Sequence, residues 1–163
     1  MIRTQLGSSS IVLAALTKKS EVRNVIITGN MHHTGNTGNS SFFVDERLGS
    51  FTSIEDVVIE NNGVDKTDAA ANKTGTRATL SAPLSAGATG ATLYFTKYLM
   101  FTTPIDPSSI RCWLYGPHAT ALSVQRQYDF AVQVTLQEAV PAEASGAMVT
   151  CSVDQSARAC PAH

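Results

Sequence analysis

Between Gln127 and Glu138 the chain reads QYDFAVQVTLQE, and every second side chain is large and apolar. Tyr128, Phe130, Val132, Val134 and Leu136 fall in one phase. Gln127, Asp129, Ala131, Gln133, Thr135 and Gln137 fall in the other, and all but Ala131 are polar. A period of two belongs to extended chain with one face buried. The pattern predicts one continuous amphipathic strand here, and no helix satisfies it.

Shorter runs of the same type recur from end to end. They are SIVLAAL from Ser10, VRNVIIT from Val22, SFFVDE from Ser41, SIEDVVIE from Ser53, TRATLSA from Thr76, ATLYFTKYLMF from Ala91, IRCWLYG from Ile110 and AMVTCSV from Ala147. Turn signals separate them. Asn62-Gly63 marks a tight turn, because both residues tolerate positive φ. Pro104 and Pro107 stop the run that ends at Phe101. VRNVIITGNMHH and NSSFFVDE read as antiparallel neighbours joined by TGNTGN, and no internal repeat stands out. About eight to ten strands with turns every 8–15 residues fit an all-β, antiparallel β-sandwich of jelly-roll or immunoglobulin-like type. It is read as a single domain over residues 1–163, with 1–9 and 154–163 as extended arms. Val25, Ile27, Phe43, Val58, Leu93, Phe95, Trp113, Phe130, Val132 and Val134 are its predicted core. A large side chain of this kind contributes about 1.5–3 kcal/mol when fully buried.

Composition agrees. Only 15% of residues are charged, and Ser, Thr, Ala, Gly and Asn fill the surface. That is poor material for amphipathic helices. The formal net charge of −1 comes with no basic stripe, so nucleic acid is not an expected partner. No apolar run reaches the roughly 20 residues of a membrane span. SIVLAAL is followed by TKKSEVR and lacks a small-residue cleavage site, so it reads as a strand and not as a signal core. Cys112, Cys151 and Cys160 are odd in number and imply no disulfide framework. Cys112 reads as a small buried apolar residue in a reducing compartment, and whether any pair bridges is left open. Glycosylation-type triplets at Asn39 and Asn72 are expected by chance in so Ser/Thr/Asn-rich a chain.

Candidate chemistry is sparse. Adjacent His32 and His33 point to opposite faces of an extended chain and do not chelate one ion easily. They open a polar segment with Asn36 and Asn39 that reads as a connection or as a partner- or glycan-contacting loop. Cys112 and His118 flank a Gly-Pro turn, but the sequence offers no orienting third group for a nucleophile pair. A zinc set of Cys112, His118, Cys151 and Cys160 contains no close ligand pair. Glu55, Asp56 and Glu60 lie along one strand and not across a cleft, as paired-carboxylate hydrolysis requires. Asp65 and Asp68 lack calcium-loop spacing, and the Gly-containing stretches lack the Lys-Ser/Thr of a phosphate loop. No metal, cofactor or catalytic residue is expected.

The segments EVRNVIITGN…SSFFVDE and TPIDPSSIRCWLYGP resemble strands of bacteriophage virion structural proteins of the tail, neck and capsid-decoration kinds. The resemblance covers about half the chain and transfers no functional residue. It implies a non-enzymatic protein located in the virion, homo-oligomeric and in contact with other virion proteins. Terminal segments carrying Arg3, Gln5 and Arg158 would serve as assembly arms. The alternative is a carbohydrate- or receptor-binding sandwich using His32, His33, Asn36, Asn39, Trp113 and His118.

Overall fold

The computed structural model describes residues 11–29, 31–32, 42–60, 62–64, 75–101, 103–116, 120–144, 146–156 and 158–159. Thirteen strands and one 3-10 turn make up its regular structure, with no α-helix among the described residues. The all-β expectation therefore holds, and several strands pair antiparallel as expected. The chain divides into two compact units. The first is drawn from residues 1–77, 97–102 and 155–163, and the second from 78–96 and 103–154.

The first unit departs from the expected antiparallel plan. Its strands are β1 (Ile11–Ala14), β2 (Ser20–Thr28), β3 (Met31–His32), β4 (Phe42–Asp45), β5 (Phe51–Glu60) and β6 (Gly63–Val64). β1 runs parallel to β4, β2 to β5, and β3 to β6. Ile11 lies beside Phe42, Glu21 beside Ser53 and Met31 beside Gly63, so the chain step is 31 or 32 residues throughout. Two successive coils of chain thus run side by side, element by element. Among the described residues VRNVIIT lies beside β5 and FFVD beside β1, in place of the expected hairpin of VRNVIITGNMHH with NSSFFVDE. Asn62-Gly63 belongs to no hairpin, since Gly63 opens β6.

The stacking exposes a repeat that the residues carry in disguise. Val22-Arg23-Asn24-Val25-Ile26-Ile27 lies along Ile54-Glu55-Asp56-Val57-Val58-Ile59. Asn24 and Asp56 both adopt positive φ, at 54° and 52°. Asn and Asp are the non-glycine residues that best tolerate that conformation. Each kink breaks the alternation, so two consecutive residues face outward between the inward Val22 and Val25, and likewise between Ile54 and Val57. The coils also touch at a corner. A side chain on Gly49 would run into the carbonyl of Thr17, so only glycine allows that approach.

The core of this unit holds Ala15, Val22, Phe51, Ile54, Val57, Ile59, Met100 and Phe101, with Leu13, Val25, Ile27 and Val44 packed against it. Phe51 and Phe101 meet edge to face at 6.1 Å. The last segment of the chain closes one side. Strand β13 (Arg158–Ala159) pairs antiparallel with Ile54 and Ser53 of β5. The Ser156 carbonyl accepts from Val57 N at 2.9 Å, and Thr76 N donates to the Ile59 carbonyl at 3.0 Å. Gln155 and Ser156, assigned from sequence to a free arm, are buried.

The second unit contains β7 (Arg77–Pro83, its first residue at the unit boundary), β8 (Gly90–Tyr94), β9 (Arg111–Tyr115), β10 (Leu122–Tyr128), β11 (Ala131–Leu136) and β12 (Met148–Asp154). They form two three-stranded sheets, β10-β11-β8 and β7-β12-β9. The apparent single strand from Gln127 to Glu138 is in fact the end of β10, a turn and the whole of β11. The chain turns at Asp129-Phe130, and β10 then pairs back on β11. Tyr128, placed by periodicity on the buried face, is exposed. ATLYFTKYLMF is also divided, because β8 stops at Tyr94 and a turn follows. Leu93, Phe95, Val132 and Val134 are buried as predicted. Val25, Ile27, Val58 and Phe130 are only half-buried, and the side chain of Phe43 lies outside the described residues.

Candidate functional site

Trp113 corrects the sequence reading most directly. It is not a core anchor but stands on the outer face of β9, 36% exposed. IRCWLYG has two credible phases, and the inward one carries buried Ile110 and half-buried Cys112 and Leu114. Arg111, Trp113 and Tyr115 share the outer phase. Trp113 and Tyr115 meet edge to face, with centroids 6.4 Å apart and planes at 77°. Thr150 lies opposite Trp113, and Met148 opposite Tyr115, on β12. The Thr150 and Ser81 hydroxyls are hydrogen-bonded at 2.8 Å and extend the row onto β7. At the other end of the face, Arg111 Nη1 donates to the carbonyls of Ser108 and Ile110 at 2.7 and 2.8 Å. The result is an aromatic pair on a sheet face, with the Arg111 guanidinium held against backbone carbonyls and a buried Thr150 hydroxyl committed to Ser81. Tyr115 was not singled out from sequence. The cationic Arg111 two residues before Trp113 is the signal that marks this phase as the outer one.

Cys112 and Cys151 are register partners in β9 and β12 and are joined by a disulfide. This overturns Cys112 as a free buried thiol. It also removes the Cys112–His118 nucleophile and the four-residue zinc set, because a bridged sulfur neither attacks nor ligates as a thiolate. Cys160 and His118 lie outside the described residues, as do His33, Asn36, Asn39, Asp65, Asp68, Arg3 and Gln5. His32 falls in β3 beside Val64, and Arg158 falls in β13 beside Ile54.

The carboxylates are engaged singly. Glu55 Oε2 lies 3.2 Å from Arg23 Nε, and Arg23 also reaches Glu21 at 3.1 Å. Glu60 sits 3.9 Å from Arg77. Asp56 occupies the positive-φ kink. Asp45 accepts from Arg47 through Nη2 at 2.6 Å, Nε at 2.9 Å and the backbone N at 3.1 Å. Those hydrogen bonds, from the side chain first and the backbone second, hold its pKa down to about 2. The same partnership raises Arg47 above its ordinary value. Among the described residues no three His, Cys, Asp or Glu side chains are grouped to hold a metal ion. No described helix is long and apolar enough to cross a membrane.

Large apolar side chains also stand outward on the first unit: Leu16, Ile26 and Leu48 are each more than two-thirds exposed. Leu16 precedes Thr17 and Leu48 precedes Gly49, at the corner where the two coils touch. Neither a protein-family model nor a curated protein matches the chain.

Proposed function

We propose that this protein is a non-enzymatic structural component of a virus particle, of the phage tail, neck or capsid-decoration kind, acting through contacts between subunits. The observation that carries this reading is the outward apolar side chains on both units: Leu16, Ile26 and Leu48 on the first, Trp113, Tyr115 and Tyr128 on the second. Exposed aromatic side chains that touch one another, as Trp113 and Tyr115 do, suit a protein–protein contact. The side-by-side coils of the first unit, with β13 paired onto β5, suit a stiff scaffold. The two sheets of the second unit are read as the layers of a small sandwich. Val132, Val134 and Leu136 of one and Val149, Cys151 and Val153 of the other supply its interior. Sedimentation of the full chain together with mass spectrometry of purified particles tests the role. The reading requires a self-associated species and the chain within particles. A strictly monomeric protein absent from particles overturns it.

A carbohydrate-binding role is the second reading, and the outward Trp113–Tyr115 corner favours it. Exposed aromatic rings stack on sugar rings. Trp113 is the sole tryptophan, so intrinsic fluorescence during oligosaccharide titration reports on this corner alone. A saturable change, accompanied by a calorimetric heat of binding that Trp113→Ala and Tyr115→Ala each weaken, supports binding, and a parent chain that shows no heat of binding excludes it.

A further inference from the structure

We propose that Cys112 is a thiol-exchange site. A small thiol opens the Cys112–Cys151 bridge by attack at Cys112, and the opening releases β9 together with its Trp113–Tyr115 pair. Release does not depend on whether that pair meets a protein or a sugar.

Three observations carry it. β9 is an outer strand of the sheet β7-β12-β9, and among the described residues it pairs with β12 alone. It buries no side chain fully: Arg111, Trp113 and Tyr115 are exposed, and Cys112 and Leu114 are half-buried. β12 by contrast holds Val149, Thr150, Cys151 and Val153 in buried positions. Secondly, the bridge replaces backbone bonding at its own rung. The two Cα atoms lie 4.1 Å apart, the close spacing of a register pair that exchanges no backbone hydrogen bond. The Arg111 side chain adds nothing across the ladder, since it bonds to Ser108 and Ile110 of its own segment. Thirdly, the two cysteines differ in access. Cys151 is 0% exposed on the central strand, whereas Cys112 is half-buried on the outer one.

The chemistry follows from that asymmetry. A thiolate displaces one sulfur of a disulfide from the side opposite the other. Attack on Cys112 therefore comes from the outer side of β9, and attack on Cys151 has to come through the sheet. The incoming thiolate bonds to Cys112 Sγ, the S–S bond breaks, and Cys151 leaves as a thiolate that takes up a proton. A second thiol attacks the mixed disulfide and frees Cys112. Two small thiols are thus oxidised to one disulfide while the bridge is reduced to two thiols. A buried thiolate is disfavoured, so Cys151 closes the bridge again unless β9 has moved away. Opening and strand release are one event.

The test uses the full chain carrying Cys160→Ser, which removes the third thiol of the sequence, and reduced glutathione as the probe. Samples are quenched with iodoacetamide, and peptide mass spectrometry locates both modifications. The expected product carries glutathione on Cys112 and the alkyl label on Cys151. In the same samples, amide exchange between Arg111 and Tyr115 accelerates by about tenfold or more beyond any change in β10 and β11. Fluorescence of Trp113, the sole tryptophan, shifts with the same midpoint, and oxidised glutathione restores both signals. A bridge left intact by millimolar glutathione overturns the proposal. So does glutathione on Cys151, or an opened bridge with β9 exchanging at its oxidised rate. Equal acceleration in β9, β10 and β11 overturns it too, because the unit then loosens as a whole.

Discussion

Thr76 and Gln155 show how single polar side chains replace missing strand partners. Thr76 is fully buried, and its hydroxyl accepts from Ile59 N at 3.1 Å. Thr76→Val preserves the shape and orphans that N–H, so unfolding in urea should show a loss of about 1–3 kcal/mol. Gln155 grips both backbone groups of Phe101, accepting from N at 3.2 Å and donating to O at 3.3 Å. Neither role is legible in sequence, because a lone Thr or Gln in a polar stretch does not announce a distant backbone partner. The Asp45–Arg47 pair is local and titrates cleanly. The folded pKa of Asp45, about 2, lies below its unfolded value. Its contribution to stability is therefore complete above about pH 4 and is lost as pH falls toward 2. Carbon-13 NMR should place the Asp45 midpoint near 2 in the parent, and Arg47→Ala should return it toward the ordinary carboxylate range.

At the scale of elements, strand content is written in the sequence and strand partnership is not. β2, β5, β7, β9 and β12 were each visible as β-branched or alternating runs, because a half-buried face leaves its period in the chain. Partner and direction depend on contacts between residues more than 30 positions apart, and those leave no local mark. The repeat is faint in the sequence because its aligned positions mostly preserve residue class, with only Val25/Val57 and Ile27/Ile59 identical among the six. Val22-Arg23-Asn24 and Ile54-Glu55-Asp56 share an apolar, charged, kink-tolerant order but no residue. The shared kink makes a specific prediction. Asp56→Val should destabilise by about 1–2 kcal/mol, the cost of forcing a β-branched residue left-handed. Asp56→Gly, which is free of that cost, should shift the urea midpoint little. Equal losses for both variants would show that the carboxylate matters and the backbone does not. The misreading of Gln127–Glu138 has a related cause. The two-residue tip at Asp129-Phe130 pairs Tyr128 with Ala131, so Tyr128 faces away from Val132 although the apolar alternation of the sequence runs on unbroken, and periodicity alone cannot see the turn.

The whole molecule is two bodies of different construction, and their stabilities should be separable. The Cys112–Cys151 bridge lies wholly within the second unit, between residues 39 apart in sequence. Closing a loop of that length contributes about 2–4 kcal/mol. Double replacement, Cys112→Ala with Cys151→Ala, should accelerate hydrogen exchange in β8, β9, β11 and β12 and leave β2 and β5 at their parent rates. A uniform acceleration would mean that the two bodies unfold as one. The order of the chain adds a further consequence. Residues 78–96 and 103–154 are interposed between the parts of the first unit, whose closing strand comes at Arg158–Ala159. On the ribosome, the inserted body can finish folding while the outer one still waits for its latch. A nascent chain interrupted before that latch emerges would display β5 uncovered, a ready template for unwanted pairing. Closure of the first unit thus requires that synthesis has run through the insert, and a chain truncated before Arg158 lacks the strand that pairs with Ile54 and Ser53.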